Sequence, residues 1–252
     1  MTAVSETTRT SQVKSVSVAL ESSASENAEP GSLRLLGTSH VSTASSKAVA
    51  AAIVHADVIA IELDAGRAHA IMTGERATFS DLRAGLGLRT ALVAYSLRSL
   101  QERIAKSLDV VPGLEMKVAL EESNKAGKTV ALIDRDVRVT LRRLSASIGW
   151  QEFRAFFGDL FRRRKVSIHP SDELVLVLLN EMKARYPRVY AAMVSERDLY
   201  MIHQVLALRA AYPEQVILVI VGKGHIPGMS KLLNQSKTPH QVLSDHVKHV
   251  SD

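Results

Sequence analysis

The chain of 252 residues contains no cysteine. That absence excludes a disulfide scaffold, thiolate metal sites and a cysteine nucleophile, so any bound metal has to be held by His, Asp or Glu. Aromatic residues make up only 4% of the chain, too few for the stacking platforms on which single-stranded nucleic acids lie. No run approaches the roughly 18 apolar residues of a membrane span, and the N-terminus lacks the apolar core of a signal peptide. A soluble protein is expected. Nucleotide signatures are missing as well: there is neither a Gly-x-Gly-x-x-Gly nor a P-loop. The stretch "GTSHVS" lacks the Gly-x-Ser-x-Gly elbow of serine hydrolases.

What is present is an ordinary globular composition, 46% hydrophobic, with a mild basic excess of 32 Lys+Arg over 26 Asp+Glu. The one dense basic patch, "FRRRK" at Phe161 to Lys165, reads first as the solvated C-terminus of an amphipathic helix beginning near Gln151. An anionic-lipid or RNA contact is the weaker reading, and nucleic acid is not an expected partner. Residues 1–31 are rich in Ser, Thr and Glu and close on Pro30-Gly31, which predicts a disordered leader. Glu6, Glu21, Glu26 and Glu29 give that leader more acid than a transit peptide carries. The expected address is therefore cytoplasmic, with a mitochondrion-associated protein as the alternative. Residues 32–235 form the folded domain and 236–252 a polar tail.

Within the domain strands and helices alternate. "SLRLLG", "DVIAIELD", "KTVALIDRD" and "VILVIVG" read as strands, and the segments between them read as helices, including long helical insertions. This predicts an α/β fold with a mainly parallel sheet of at least four strands. Each strand then stops at groups that ligate metals or move protons: His40, Glu62 with Asp64, Asp134 with Asp136, and His225. In a parallel sheet the C-terminal ends share one edge, so these groups converge. The first and last strands end in the same Gly-x-x-His pattern, Gly37 to His40 and Gly222 to His225. Two imidazoles and a carboxylate suit Mn, Fe, Co or Zn, which polarise a carbonyl and acidify bound water. A purely structural alternative has His40 capping the next helix and Gly224 and Gly228 shaping a turn. Glu115 sits in the first turn of a helix, and Glu196, Arg197 and Asp198 interrupt a strongly apolar one. Charges in such a place need partners, which the "DRD" segment at 134–136 can supply.

The ordered set "LLGTSHVS", "IELDAGR", "PGLEM", "LIDRDVRVTLRR", "SERDLYM" and "VGKGHIPGM" resembles the TraB/PrgY family from about Leu33 to Leu233. That family includes bacterial pheromone-shutdown proteins and eukaryotic TraB-domain proteins, and is related to Tiki metalloproteases and to erythromycin-esterase and ChaN-like folds. The resemblance implies a divalent-metal-dependent, peptidase-like hydrolase with His40, His225 and Glu62 at the metal. It also implies motif roles for Arg67, Glu115, Asp134, Arg135, Asp136, Arg143, Glu196, Arg197 and Asp198, with an acid such as Glu115 or Asp134 carrying the proton. A peptide or protein is the implied substrate or partner, and peripheral membrane association is compatible with it. The alternative is a regulator that binds such a partner without turnover. The sequence departs from the family pattern at Ala68, where an aromatic is common, and in its polar C-terminal tail, where many members continue into membrane-spanning helices.

Overall fold

Five short runs pair into one parallel sheet: β1 (Val16–Ala19), β2 (Leu33–Thr38), β3 (Val58–Ile61), β4 (Thr129–Leu132) and β5 (Ile217–Gly222). Their spatial order is β1-β2-β5-β3-β4. The chain is described here from a computed structural model covering residues 16–19, 29–38, 43–75, 77–107, 113–147 and 172–235, with isolated positions between 149 and 158. His40, the "FRRRK" segment and the polar tail lie outside the described residues.

The α/β fold with a parallel sheet agrees with the sequence pattern. One element of the expected leader differs: Val16–Ala19 pairs in parallel with Leu33–Leu36 as an edge strand. Its Val-Ser-Val-Ala alternation is strand-like, and at the edge it pairs on one side only, with β2.

The order of the strands dictates where helices lie. The steps from β2 to β3 and from β3 to β4 move across the sheet in one direction, so right-handed crossovers put their helices on one face. These are α1 (Thr43–Val54) and α5 (Leu114–Lys125), which pack on each other. The return from β4 to β5 moves the other way, and α9 (Glu196–Ala211) accordingly covers the opposite face together with α10 (Ile226–Gln235). Alternate strand residues fill the two layers. Leu35, Val219 and Val221 meet Met201, Val205 and Met229 on one side, while Leu36, Leu218 and Ile220 meet Val49, Ile53 and Met116 on the other.

A helical insertion adds a smaller apolar cluster beside the sheet. It comprises α2 (Ala65–Thr73), α3 (Phe79–Leu86), α4 (Leu88–Ser107), α6 (Val137–Ser147), α7 (Asp172–Arg185) and α8 (Pro187–Tyr190). Val93, Leu144, Val189 and Ala192 form its centre. The consequence for function lies in β5, inserted between β2 and β3. Strands on either side of it send their chains to one face and β5 sends its own to the other, which opens a crevice at the carboxyl ends.

Candidate functional site

The crevice is filled by charge. Glu62, Asp134, Asp198 and His225 are all buried, although ionisable groups rarely are unless paired. Each is placed by a different element. Glu62 directly follows β3, Asp134 lies two residues past β4, Asp198 is in the first turn of α9, and His225 closes the short 3₁₀ turn Lys223–His225 after β5.

Glu62 is held from three directions. Its Oε2 accepts the Gly222 backbone N–H at 2.7 Å, so the end of β5 positions a carboxylate from β3. Its Oε1 lies 3.2 Å from Nε2 of His225 and also accepts from Nη2 of Arg197. The other ring nitrogen of His225, Nδ1, is 2.5 Å from Oδ1 of Asp198. The histidine is thus clamped between two carboxylates. Burial disfavours its charge, but Glu62 and Asp198 outweigh burial and push its pKa up to about 9. Burial also acts to raise the Glu62 carboxyl, and there the charges of His225 and Arg197 with the Gly222 amide hold it well below the usual range. Asp198 goes the other way, raised chiefly by burial against the pull of His225.

Arg197 joins this pair to a second acid. Its Nε donates to Oδ1 of Asp134 at 3.1 Å and its Nη2 to Oδ2 at 2.7 Å, a two-pronged guanidinium–carboxylate bond. Arg67, from the first turn of α2, donates to the same Oδ2 at 2.9 Å. Three acids, Glu62, Asp134 and Asp198, therefore face three cations, Arg67, Arg197 and protonated His225. Next door, Arg135 donates to Glu196 at 2.8 Å, to Thr140 at 2.9 Å and to the Ala192 carbonyl at 2.7 Å, and Arg143 reaches Glu196 from α6 at 3.1 Å. Glu196 and Arg197 pair with the "DRD" segment as expected from sequence, and Asp198 pairs with His225 instead.

Three consecutive residues, Glu196, Arg197 and Asp198, each serve a different partner because successive side chains on a helix point about 100° apart. Residues Ala191–Ser195 form a π-helical turn that runs without a break into α9. Such a turn inserts an extra residue and re-aims the side chains that follow. No feature of the sequence announces it.

Other expected site residues are placed differently. Asp136 is bonded to Arg138 outside the buried cluster. Glu115 is buried in the first turn of α5, on the α1 side of the sheet. Asp64 caps α2, its Oδ1 accepting the Arg67 N–H at 3.1 Å. Among the described residues no group of three His, Asp or Glu side chains is arranged to hold a metal ion. His225 and Glu62 supply two donors with the separation of atoms sharing one ion at about 2.1 Å each. Asp198 stands behind the histidine as outer-shell carboxylates do in metal sites. The third expected ligand, His40, lies outside the described residues.

Gly228 has a role beyond shaping a turn. A Cβ there would stand 2.0 Å from Oδ2 of Asp198 and 2.9 Å from its Cγ. The missing side chain makes room for the carboxylate that orients His225. Gly228→Ala is expected to push Asp198 off His225 and destabilise the fold by about 1–3 kcal/mol, the usual cost of overpacking. Thermal denaturation measures the loss, and the His225 ring nitrogen shifts in an NMR spectrum report the broken bond. An unchanged ring signal would show that Asp198 has room to move.

The model of the TraB/PrgY/gumN family matches residues 24–239. The chain belongs to the TraB/PrgY/gumN family. It is similar to an uncharacterised protein of Methanocaldococcus jannaschii, 29% identical over 220 residues covering 82% of this chain and 55% of the relative. TraB domain-containing proteins of Mus musculus and Homo sapiens are each 27% identical over 238 residues, covering 81% of this chain and 63% of theirs. The chain therefore spans between half and two thirds of the length of these relatives. Among the described residues no helix is long and apolar enough to cross a membrane.

Proposed function

We propose that this family member is a divalent-metal-dependent hydrolase acting on peptides, with His225, Glu62 and His40 as the ligands. The observation that carries the reading is the 3.2 Å approach of His225 Nε2 to Glu62 Oε1 at the carboxyl end of a parallel sheet, with Asp198 on the opposite ring nitrogen. A bound ion there supplies a polarised carbonyl and a water of lowered pKa. The protein's own groups do the rest. Asp198 fixes the ring so that Nε2 faces Glu62, and the Gly222 amide fixes the carboxylate. Arg197, held in a two-pronged bond by Asp134 and bonded to Glu62, is a positioned cation beside these groups and would steady a carbonyl oxygen that gains charge there.

A second reading, a regulator that binds a peptide or protein partner without turnover, draws on Arg197. Its guanidinium occupies the same Glu62 oxygen that a metal needs. Elemental analysis of protein purified without chelator separates the two, with wild type beside a His40→Ala/His225→Ala variant. The hydrolase reading expects a stoichiometric ion in the wild type, loss of that ion in the variant, and metal-dependent cleavage of a peptide library by the wild type alone. Wild type that takes up no Mn, Co or Zn after reloading, and cleaves nothing, leaves the regulator.

A further inference from the structure

The charges of the site are layered by depth. The acids are inside: the side chains of Asp134, Asp198 and Glu62 are 2%, 4% and 8% exposed. Arg197 and Arg135, 13% and 10% exposed, lie inside with them, and three further arginines stand outside: Arg67 is 37%, Arg143 57% and Arg138 67% exposed. Each of the three is tethered along one short segment. Arg67 bonds Asp134, Arg138 bonds Asp136, and Arg143 bonds Glu196, the partner of the intervening Arg135. The acids fix where the guanidiniums stand but leave donors over. Arg143 spends only Nε, and Arg67 only Nη1, on side-chain bonds among the described residues. Glu196 faces two guanidiniums, Arg135 and Arg143, so one positive charge is left over at the surface beside the buried cluster.

We propose that Arg67, Arg138 and Arg143 form an anion-recognising rim that binds the carboxylates of acidic peptide segments entering the site. An arginine held by an acid keeps its charge and loses little further freedom on binding, so its remaining N–H groups meet a carboxylate in a prepared geometry. Rim charges of one sign also draw an oppositely charged ligand toward the crevice. Carboxylate is favoured over a nucleic-acid phosphodiester because aromatics are only 4% of the chain, and strands of nucleic acid need stacking partners besides cations. The rim concerns capture of the ligand, so it goes beyond the hydrolase reading and stands or falls without turnover.

Fluorescence anisotropy of a labelled, terminally blocked hexapeptide of alternating Glu and Ala tests this, against the same peptide with Gln in place of Glu. Wild type is expected to bind the Glu peptide about tenfold more tightly at low salt, with the preference shrinking as salt screens it. Arg138→Gln/Arg143→Gln is expected to abolish the preference. Lys128→Gln/Lys231→Gln, which removes the same charge elsewhere on the surface, is expected to keep it. Wild type in the presence of chelator is expected to bind the Glu peptide with the preference intact, so that failure of the hydrolase reading leaves the rim standing. Equal affinity of wild type for the two peptides overturns the proposal. So does an equal loss in the two double variants, which would assign binding to net charge, or displacement of the Glu peptide by polyuridylate at matched charge, which would assign the rim to nucleic acid.

Discussion

Arg197→Met is expected to lower the stability of the fold by about 3–5 kcal/mol, the cost of breaking a buried ion pair from one side. Arg197 is the cation on which two buried acids depend. It donates twice to Asp134 and once to Glu62, both of which are less than a tenth exposed. Methionine matches much of its volume, so the loss isolates charge rather than packing. Glu62 retains the Gly222 amide and His225, and Asp134 retains Arg67, but neither set neutralises both acids. Urea denaturation at pH 7 measures the effect. Adding Asp134→Asn and Glu62→Gln to the Met variant is expected to recover part of the loss, because the acids cost less once uncharged. A loss below about 1 kcal/mol for Arg197→Met would show that water reaches the cluster.

The strand ends were legible because a parallel sheet has a simple consequence. Four apolar runs of strand length, each ending in Glu, Asp or His, have to bring those residues to one edge. Glu62, Asp134 and His225 do meet there. The charges inside α9 were legible for a related reason: Glu196, Arg197 and Asp198 interrupt an apolar helix and so had to face partners. Chemistry at this level follows from burial alone.

What stayed hidden were features set by tertiary geometry. The position of β5 between β2 and β3 is not written in any one strand, yet it decides that the Gly222 amide reaches Glu62. The π turn at Ala191–Ser195 has no sequence signature, yet it sets the rotation with which the three charges leave the helix. Gly228 reads locally as a turn former, and its contact with Asp198 depends on α9 and α10 sharing one face of the sheet. The short strand Val16–Ala19 was masked by its Ser- and Glu-rich surroundings, because composition averages over a window wider than four residues.

With chelator present, stability is expected to fall by about 3 kcal/mol as pH rises from 6.5 through 9, and His225 is the cause. Its pKa is about 9 in the folded protein against 6.5 in a free imidazole. The folded state therefore binds the proton more tightly than the unfolded one. A raised pKa of this kind contributes fully below 6.5 and is lost once the pH passes the folded value. Deprotonation leaves Glu62 and Asp198 on either side of a neutral ring, with Arg197 the nearest remaining cation. On the acid side the sign reverses. Glu62 and Glu196 are held below the usual carboxyl range, Glu62 against burial by His225 and Arg197, and Glu196 against burial by Arg135 and Arg143. Their contribution is present above about 4.5 and disappears as pH falls through their folded values. Asp198, raised by burial, opposes them and softens that limb. Urea midpoints taken across pH 4–10 should trace a plateau near pH 5–6.5 with a decline on either side. His225→Gln, which cannot titrate, is expected to start lower and to lose the alkaline decline. An alkaline limb that survives in the Gln variant would assign it to another group and leave His225 uncharged at neutral pH, with both ring nitrogens then set by tautomer rather than by two carboxylates.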